Sequence, residues 1–311
     1  MRAIVIDRFG GPEELIVRDL PEPEPGAGEV GIRVAAVAVN PVDLQTRSGV
    51  YAAYMGAIPF PMTLGWDLAG VVDAVGPGVA GRAVGDRVVA LSAQVYTGRG
   101  VYAERIVLPA GLCADAPAAA AGDLGTAAAL PLAAVTAIQA LRAIGLVAGQ
   151  TLLVTGGAGA VGGFALQLAA RAGVRTVAVV PRRDADLARD LGAGEVLARE
   201  DFPGAPRSTV APVDGVFDTA GAVASIAAVR DGGRYVSIVA GMLPGPERGI
   251  APEAYNVHED GADLALASRL VDDGTLTLRV ARELAFDGVR EAHRAQAAGG
   301  LRGGKILLRP S

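Results

Sequence analysis

The stretch Leu152–Gly173, "LLVTGGAGAVGGFALQLAARAG", decides the fold. Thr151 to Thr155 is a run of leucine and β-branched residues, and Phe164 to Ala172 continues mostly in alanine, leucine and glutamine, with neither proline nor glycine. Between them Gly157, Gly159 and Gly162 keep G-x-G-x-x-G spacing. A strand, a tight glycine turn and a helix bring backbone N–H groups close to a pyrophosphate and aim the positive end of the helix dipole at it. The same spacing recurs in "GPGVAG" at Gly76–Gly81. There it lies between "AGVVDAV" and "RAVGDRVVA", two strand-like segments, and reads as a turn between strands. Context therefore assigns a dinucleotide to the first site only.

With 311 residues, 51% hydrophobic and 20% charged, the chain has material for two cores. A net charge of -5, with 28 basic residues spread and no basic block, argues against nucleic acid and leaves a small molecule as the expected partner. Cys113 is the single cysteine, and "MRAIVIDRFGG" has no long apolar region before its charges, so a reducing cytoplasm is expected. The longest apolar region, Ala116–Leu141, is interrupted by Asp123, Gly125 and Pro131 and reads as too broken for a membrane span.

The first ~110 residues carry "RAIVI", "EVGIRVAAVAV", "AGVVDAV", "DRVVAL" and "YAERIVL" between glycine and proline turns, the pattern of a mainly antiparallel unit. From Ala118 helical and strand-like stretches alternate: Ala127–Ala143, the strand at Thr151, its helix, "RTVAVV", "DADLARDLGA", "VDGVFDTAG" and "GRYVSIVAG". That rhythm predicts a parallel sheet covered by helices. A helix near Asp263–Asp272 and the strand "GKILLRP" return to the first unit. The expected fold class is α/β, with residues 120–255 as a Rossmann unit and residues 1–119 with 256–311 as a mainly antiparallel, barrel-like unit.

Eight segments in this order resemble the zinc-free quinone oxidoreductase branch of the medium-chain dehydrogenase/reductase superfamily. They are "VAAVAVNPVDLQTRSG" (Val34–Gly49), "PFPMTLGWDLAGVVDAVGPGV" (Pro59–Val79), "VGDRVVAL", "GVYAERIVLP", "ALPLAAVTAIQAL" (Ala129–Leu141), "TGGAGAVGGFALQLA", "EAHRAQAAG" and "GKILL". The resemblance implies a GroES-like catalytic domain, a Rossmann domain and an active site in the cleft between them. It also carries departures: zinc-dependent relatives have a cysteine where Asn40 stands, a histidine where Trp66 stands, and a four-cysteine zinc lobe that is absent here. Zinc needs three or four Cys, His or carboxylate ligands, and one cysteine with His258 and His293 makes a catalytic zinc unexpected. His293, in "EAHRAQ", reads as a surface or helix-packing residue.

The resemblance assigns roles residue by residue. Asn40, in N-P-x-D, is implied beside the nicotinamide and ribose, with a turn-capping role before Pro41 as the alternative; Asp43 is read as pinning that loop. Thr136 is implied to approach the nicotinamide, unless it only bonds its own helix. Tyr51 and Tyr54 suggest a stacking wall for a flat substrate, with packing an equal reading for Tyr54. Trp66 fills volume. With Gly157, Gly159 and Gly162, the implied cofactor contacts are Ala160, Val161, Ala220, Val239 and Ala240. The second strand of the parallel sheet ends not in an acidic residue but in "PRRD", and Arg182 with Arg183 suits a 2′-phosphate, hence NADPH. The alternatives are surface charges at a helix start, and an Asp184 that caps the helix or meets a ribose.

Without zinc, the easy hydride acceptors are those that spread the arriving charge themselves, quinones and α,β-unsaturated carbonyls. The expected activity is NADPH-dependent reduction of such acceptors. Two other readings stay open: an enoyl reductase acting on thioester-bound chains, and an NADPH-binding protein with little turnover. A homodimer is compatible with the resemblance.

Overall fold

The computed structural model describes residues 1–56, 60–202 and 211–310. Pro59, which opens one family segment, and Ser311, which ends the expected barrel-like unit, lie outside the described residues. The strands are β1 (Arg2–Ile6), β2 (Ile16–Asp19), β3 (Glu29–Val39), β4 (Met62–Thr63), β5 (Asp67–Val75), β6 (Arg87–Leu91), β7 (Arg105–Pro109), β8 (Cys113–Asp115), β9 (Thr151–Thr155), β10 (Arg175–Val180), β11 (Glu195–Ala198), β12 (Val213–Asp218), β13 (Val229–Ser237), β14 (Glu253–Ala254), β15 (Val280–Ala285) and β16 (Lys305–Arg309). The α-helices are α1 (Pro41–Arg47), α2 (Gln94–Thr97), α3 (Pro131–Ile144), α4 (Ala160–Arg171), α5 (Ala185–Asp190), α6 (Gly261–Asp272) and α7 (Val289–Ala298).

One compact unit comprises Met1–Leu132, His258–Gly274 and Leu278–Ser311. It holds a three-stranded sheet, β2-β1-β4, and a seven-stranded sheet ordered β15-β16-β3-β5-β6-β8 with β7 also on β3. Every pairing is antiparallel except β15 with β16. Eight of the eleven residues of β3 are buried, because β5, β7 and β16 all pair with it. Ile32, Val37, Val39, Leu68, Val72, Tyr102, Phe286, Ile306 and Leu308 close one core around it. Each such side chain contributes ~1.5–3 kcal/mol on burial, enough together to hold buried polar groups in place beside them.

The other unit comprises Ala133–Val257 and Thr275–Thr277. Its six strands are all parallel and ordered β11-β10-β9-β12-β13-β14. This is the doubly wound dinucleotide order, whose direction reverses between β9 and β12 and whose ligand crevice lies outside the carboxyl ends of those strands. Burial on both faces explains why β9 and β10 read as unbroken apolar runs. The α/β class with a GroES-like and a Rossmann unit is thus as the sequence predicts.

The unit boundary falls at Leu132/Ala133 rather than at residues 119/120. The 3₁₀ segment Leu124–Ala129 packs on β3, β5 and β16, and Arg309 pairs with Asp123, which ties residues 120–132 to the first unit. Thr275–Thr277 joins the second unit, where Thr277 N donates to Gln167 Oε1 at 3.0 Å. The apolar region is also less broken than its sequence suggests: Leu124–Ile144 is long and apolar enough to cross a membrane, with a mean hydropathy of 1.6, but 78% of that window is buried within the protein.

Candidate functional site

The glycine turn begins one residue before the spaced pattern. Gly156 follows β9 with φ +66°, and a Cβ there would sit 2.7 Å from Thr219 Oγ1. Two of the patterned glycines serve close packing. A Cβ on Gly157 would lie 2.9 Å from Ala178 Cβ, and one on Gly162 would lie 2.3 Å from Gly156 O, a backbone atom with no rotamer to yield. Gly159 is the N-cap of α4; it has no side chain to cap with, and no acidic residue occupies the first turn. The N–H groups of Ala160 and Val161, which have no intrahelical partner by geometry, therefore open a positive helix end toward the strand ends. Gly76–Gly81, in contrast, joins the antiparallel strands β5 and β6.

Asp218, which the sequence reading passed over, organises the far side of this crevice. It is fully buried at the end of β12. Its Oδ1 accepts from Thr155 Oγ1 at 2.5 Å, Ala220 N at 3.2 Å and Ala222 N at 3.0 Å, and its Oδ2 from Tyr235 OH at 3.1 Å and Ser237 Oγ at 3.3 Å. A buried carboxylate is tolerated only when so satisfied, and here the bonds hold the loop carrying Ala220 against β9. Thr219 tightens it further, donating from N and Oγ1 to Thr155. Ser237 Oγ accepts from Val239 N at 3.2 Å, so Val239 and Ala240 leave β13 beside the same loop. Thr136 is buried on α3 of this unit.

Arg182 and Arg183 stand beyond the end of β10 with side chains 68% and 70% exposed. Arg182 Nη2 donates to both carboxylate oxygens of Asp201, at 2.9 and 2.7 Å. Asp184 turns its carboxylate inward, 6% exposed, without a capping bond to α5.

In the GroES-like unit the N-P-x-D segment is not a loop but the start of α1, with Asn40 at its N-cap. Pro41 at the first helical position and Asp43 at the third signal this start. Asp43 Oδ2 accepts from Asn40 N at 2.7 Å and from Tyr102 OH at 2.8 Å, so it does pin the segment. Burial pushes the Asp43 carboxyl up to about 7 and the Tyr102 phenol well above its ordinary range. The Asn40 amide also reaches partners outside the helix. Its Nδ2 donates to Asp67 Oδ2 at 2.9 Å and to Ala38 O at 3.3 Å, and its Oδ1 accepts from Lys305 Nζ. Lys305 also pairs with Asp67 Oδ2 at 3.1 Å, while Leu132 N donates to Asp67 Oδ1 at 2.6 Å. An amide flip would set its NH₂ against the ammonium and its oxygen against the carboxylate, so the orientation is fixed electrostatically. Both Nδ2 hydrogens are engaged, leaving Asn40 the capacity to accept but none to donate.

Behind this cluster Arg47 Nη1 lies 3.1 Å from His293 Nδ1, and the imidazole meets Tyr102 edge-on. Burial, followed by the Arg47 charge, pushes His293 down to about 3, so it is a neutral helix-packing residue. Trp66 is buried, in keeping with a volume-filling role. Tyr51 is partly buried and donates its hydroxyl to Gln45 Oε1 at 2.8 Å; its ring lies 6.4 Å from that of Tyr54, which is 73% exposed.

A glycine turn at the switch point of a doubly wound sheet, in one chain with a GroES-like unit, defines a two-unit nucleotide-binding oxidoreductase. Residues 26–118 match the alcohol dehydrogenase GroES-like domain and residues 191–308 the zinc-binding dehydrogenase family. The chain is 31% identical over 266 residues to the dehydrogenase azaJ of Aspergillus niger, covering 76% of this chain and 75% of the relative. It is 32% identical to the chloroplastic NADPH-dependent alkenal/one oxidoreductase of Arabidopsis thaliana, covering 78% of this chain and 64% of the relative. Among solved structures it is similar to the quinone oxidoreductase of Coxiella burnetii (TM-score 0.91, 26% identity, 100% and 99% covered) and to an NAD-dependent alcohol dehydrogenase (0.87, 32%, both chains fully covered). A mycobacterial protein complexed with NADPH also matches in full (0.82, 30%). The chain belongs to the medium-chain dehydrogenase/reductase superfamily, in its quinone oxidoreductase-like branch.

Zinc appears in the description of the second matching family, but the donors here do not suit it. Where zinc-dependent relatives place a cysteine and a histidine, this chain has an amide already bonded to an ammonium and a buried indole. Among the described residues no three His, Cys, Asp or Glu side chains are grouped to hold a metal.

Proposed function

We propose that this protein is an NADPH-dependent, zinc-independent reductase of quinones or α,β-unsaturated carbonyls. The observation that carries the reading is the glycine N-cap and acid-free first turn of α4, framed by glycines that admit no Cβ, at the same sheet edge as two arginines. Gly157, Gly159, Ala160, Val161 and Gly162 would hold the pyrophosphate, Ala220, Val239 and Ala240 would line the nicotinamide half, and Arg182 with Arg183 would receive the 2′-phosphate. NADPH bound there would supply a hydride. The names of the Arabidopsis relative and the mycobacterial complex support the phosphorylated cofactor. The NAD-dependent neighbour makes the two arginines, rather than the fold, the ground for the choice.

The acceptor class follows from charge. Lys305 is committed to Asn40 and Asp67, and the Asn40 amide donates to Ala38 O and Asp67, so that amide is not free to stabilise an alkoxide. Acceptors that delocalise the incoming pair as a phenolate- or enolate-like anion need no such partner and can take their proton from water. Tyr51, its hydroxyl tied to Gln45, would offer its ring to a flat acceptor by stacking. A steady-state screen of NADPH oxidation against quinones, enones and enoyl thioesters tests the proposal. Turnover with the first two supports it; turnover confined to enoyl thioesters favours a biosynthetic enoyl reductase, and tight NADPH binding without turnover a binding protein.

A further inference from the structure

The register of β10 on β11 places opposite charges side by side at the cofactor edge of the sheet. Val180 pairs with Ala198, so residues two and three beyond each strand end, Arg182 and Arg183 on one and Glu200 and Asp201 on the other, emerge at the same level. The bonds follow that geometry: Arg182 Nη2 donates to both oxygens of Asp201, and Glu200 Oε2 accepts from Arg182 N at 3.1 Å. Backbone N–H groups, its own and that of Arg182, hold the Glu200 carboxyl below its usual range. Asp201 thus occupies one terminal nitrogen of the guanidinium, a donor that a bidentate phosphate would also use. With Nη2 drawn to Asp201, Arg182 cannot offer a phosphate its full set of donors.

We propose that Asp201 is a specificity-determining residue of the cofactor site: its carboxylate competes with a 2′-phosphate for the Arg182 guanidinium, so the chain discriminates NADPH from NADH less than its two arginines alone would. This rests on the NADPH reading above and adds to it an antagonist from the neighbouring strand. Among the described residues, Arg183 Nε approaches a carboxylate only at Asp184 Oδ2, 3.9 Å away. It supplies the discrimination that remains while Arg182 is held. The exchange is between exposed charges, so it weakens as salt shortens the screening length, to about 3 Å at 1 M.

The test is direct binding to the full-length protein by calorimetry, with adenosine 2′,5′-bisphosphate and ADP as probes. Asp201→Asn should tighten adenosine 2′,5′-bisphosphate by about three- to tenfold at low salt, the scale of an exposed pair plus a relieved like charge, and leave ADP within about twofold. Asp231→Asn, which removes an exposed carboxylate paired with Arg248 near the opposite end of the sheet, controls for net charge and should change neither. Arg182→Ala should weaken the bisphosphate alone. If Arg182→Ala weakens the bisphosphate but Asp201→Asn does not tighten it, the competition is refuted and the NADPH reading stands. If Arg182→Ala alone leaves the bisphosphate unchanged, the competition falls; if Arg182→Ala with Arg183→Ala also leaves both probes unchanged, the 2′-phosphate site lies elsewhere and the NADPH reading falls too.

Discussion

Replacing Lys305 with methionine should cost the GroES-like unit ~3–5 kcal/mol, the penalty for breaking a buried ion pair by removing one partner. Lys305 is the single lysine among 28 basic residues, and it is buried: its side chain is 7% exposed and that of Asp67 0%. Methionine keeps most of the stem's packing but leaves the Asp67 carboxylate with Asn40 Nδ2 and Leu132 N and no countercharge. Adding Asp67→Asn removes the stranded charge, so the double variant should recover ~2–3 kcal/mol of the loss, the size of coupling expected between contacting residues. Trp66, the sole tryptophan, is buried in the same unit and adjacent to Asp67, so denaturant unfolding followed by its fluorescence reports this unit even if the other unfolds separately. Equal losses in the single and double variants, or a single-variant loss under ~1 kcal/mol, would refute the reading of Lys305 as a desolvated partner of Asp67.

Asp43 and His293 should give opposite pH dependences. The raised Asp43 carboxyl contributes stability that is full below about pH 4 and lost as pH rises through about 7, whereas the lowered His293 contributes stability that is full above about 6.5 and lost as pH falls toward about 3. The two oppose each other in mid-acid, so Asp43 is isolated between about pH 6.5 and 8, where Trp66-monitored stability should fall by about 1 kcal/mol and Asp43→Asn should flatten the slope. Gly162→Ala should cost ~1–3 kcal/mol and abolish nucleotide binding through overpacking, while Gly245→Ala, where a Cβ meets nothing within 4 Å, should be neutral by calorimetry. Tyr51→Phe should retain most of kcat for quinones, whereas Tyr51→Ala should raise KM by ~2- to 10-fold for a lost ring face; a large drop in kcat with Phe would make the hydroxyl a proton or anion partner instead.

The parallel sheet was legible because β9, β10 and β12 are buried on both faces and write themselves as apolar runs. β11, "EVLA", is short and half exposed, and β15, "VARELA", interleaves charges, so neither stands out from a loop or helix pattern. The helix α1 carried its start signals, Pro41 and Asp43, but seven residues are too few for a periodicity to register. Among site residues, the glycines were legible by spacing, although the positive-φ turn falls to Gly156, one position earlier. Lys305 and Asp67 lie 238 residues apart, and only the antiparallel stacking of β16, β3 and β5 brings them together. A lone lysine at the head of "KILL" in an arginine-rich chain was the available hint. Asp218 offered less, a single aspartate closing an apolar strand, and the meeting of Arg182 with Asp201 depends on the register of the strand that went unseen.

The central claim is a hydride transfer from NADPH that needs no metal. The most direct measurement is kcat/KM for NADPH and for NADH with one quinone, on full-length protein before and after exhaustive chelation, with metal content determined on the same samples. A preference for NADPH of about tenfold, the worth of one charge-assisted contact, unchanged by chelation, is the expected result. Activity that disappears with a stoichiometric metal, or a preference for NADH, would contradict the account.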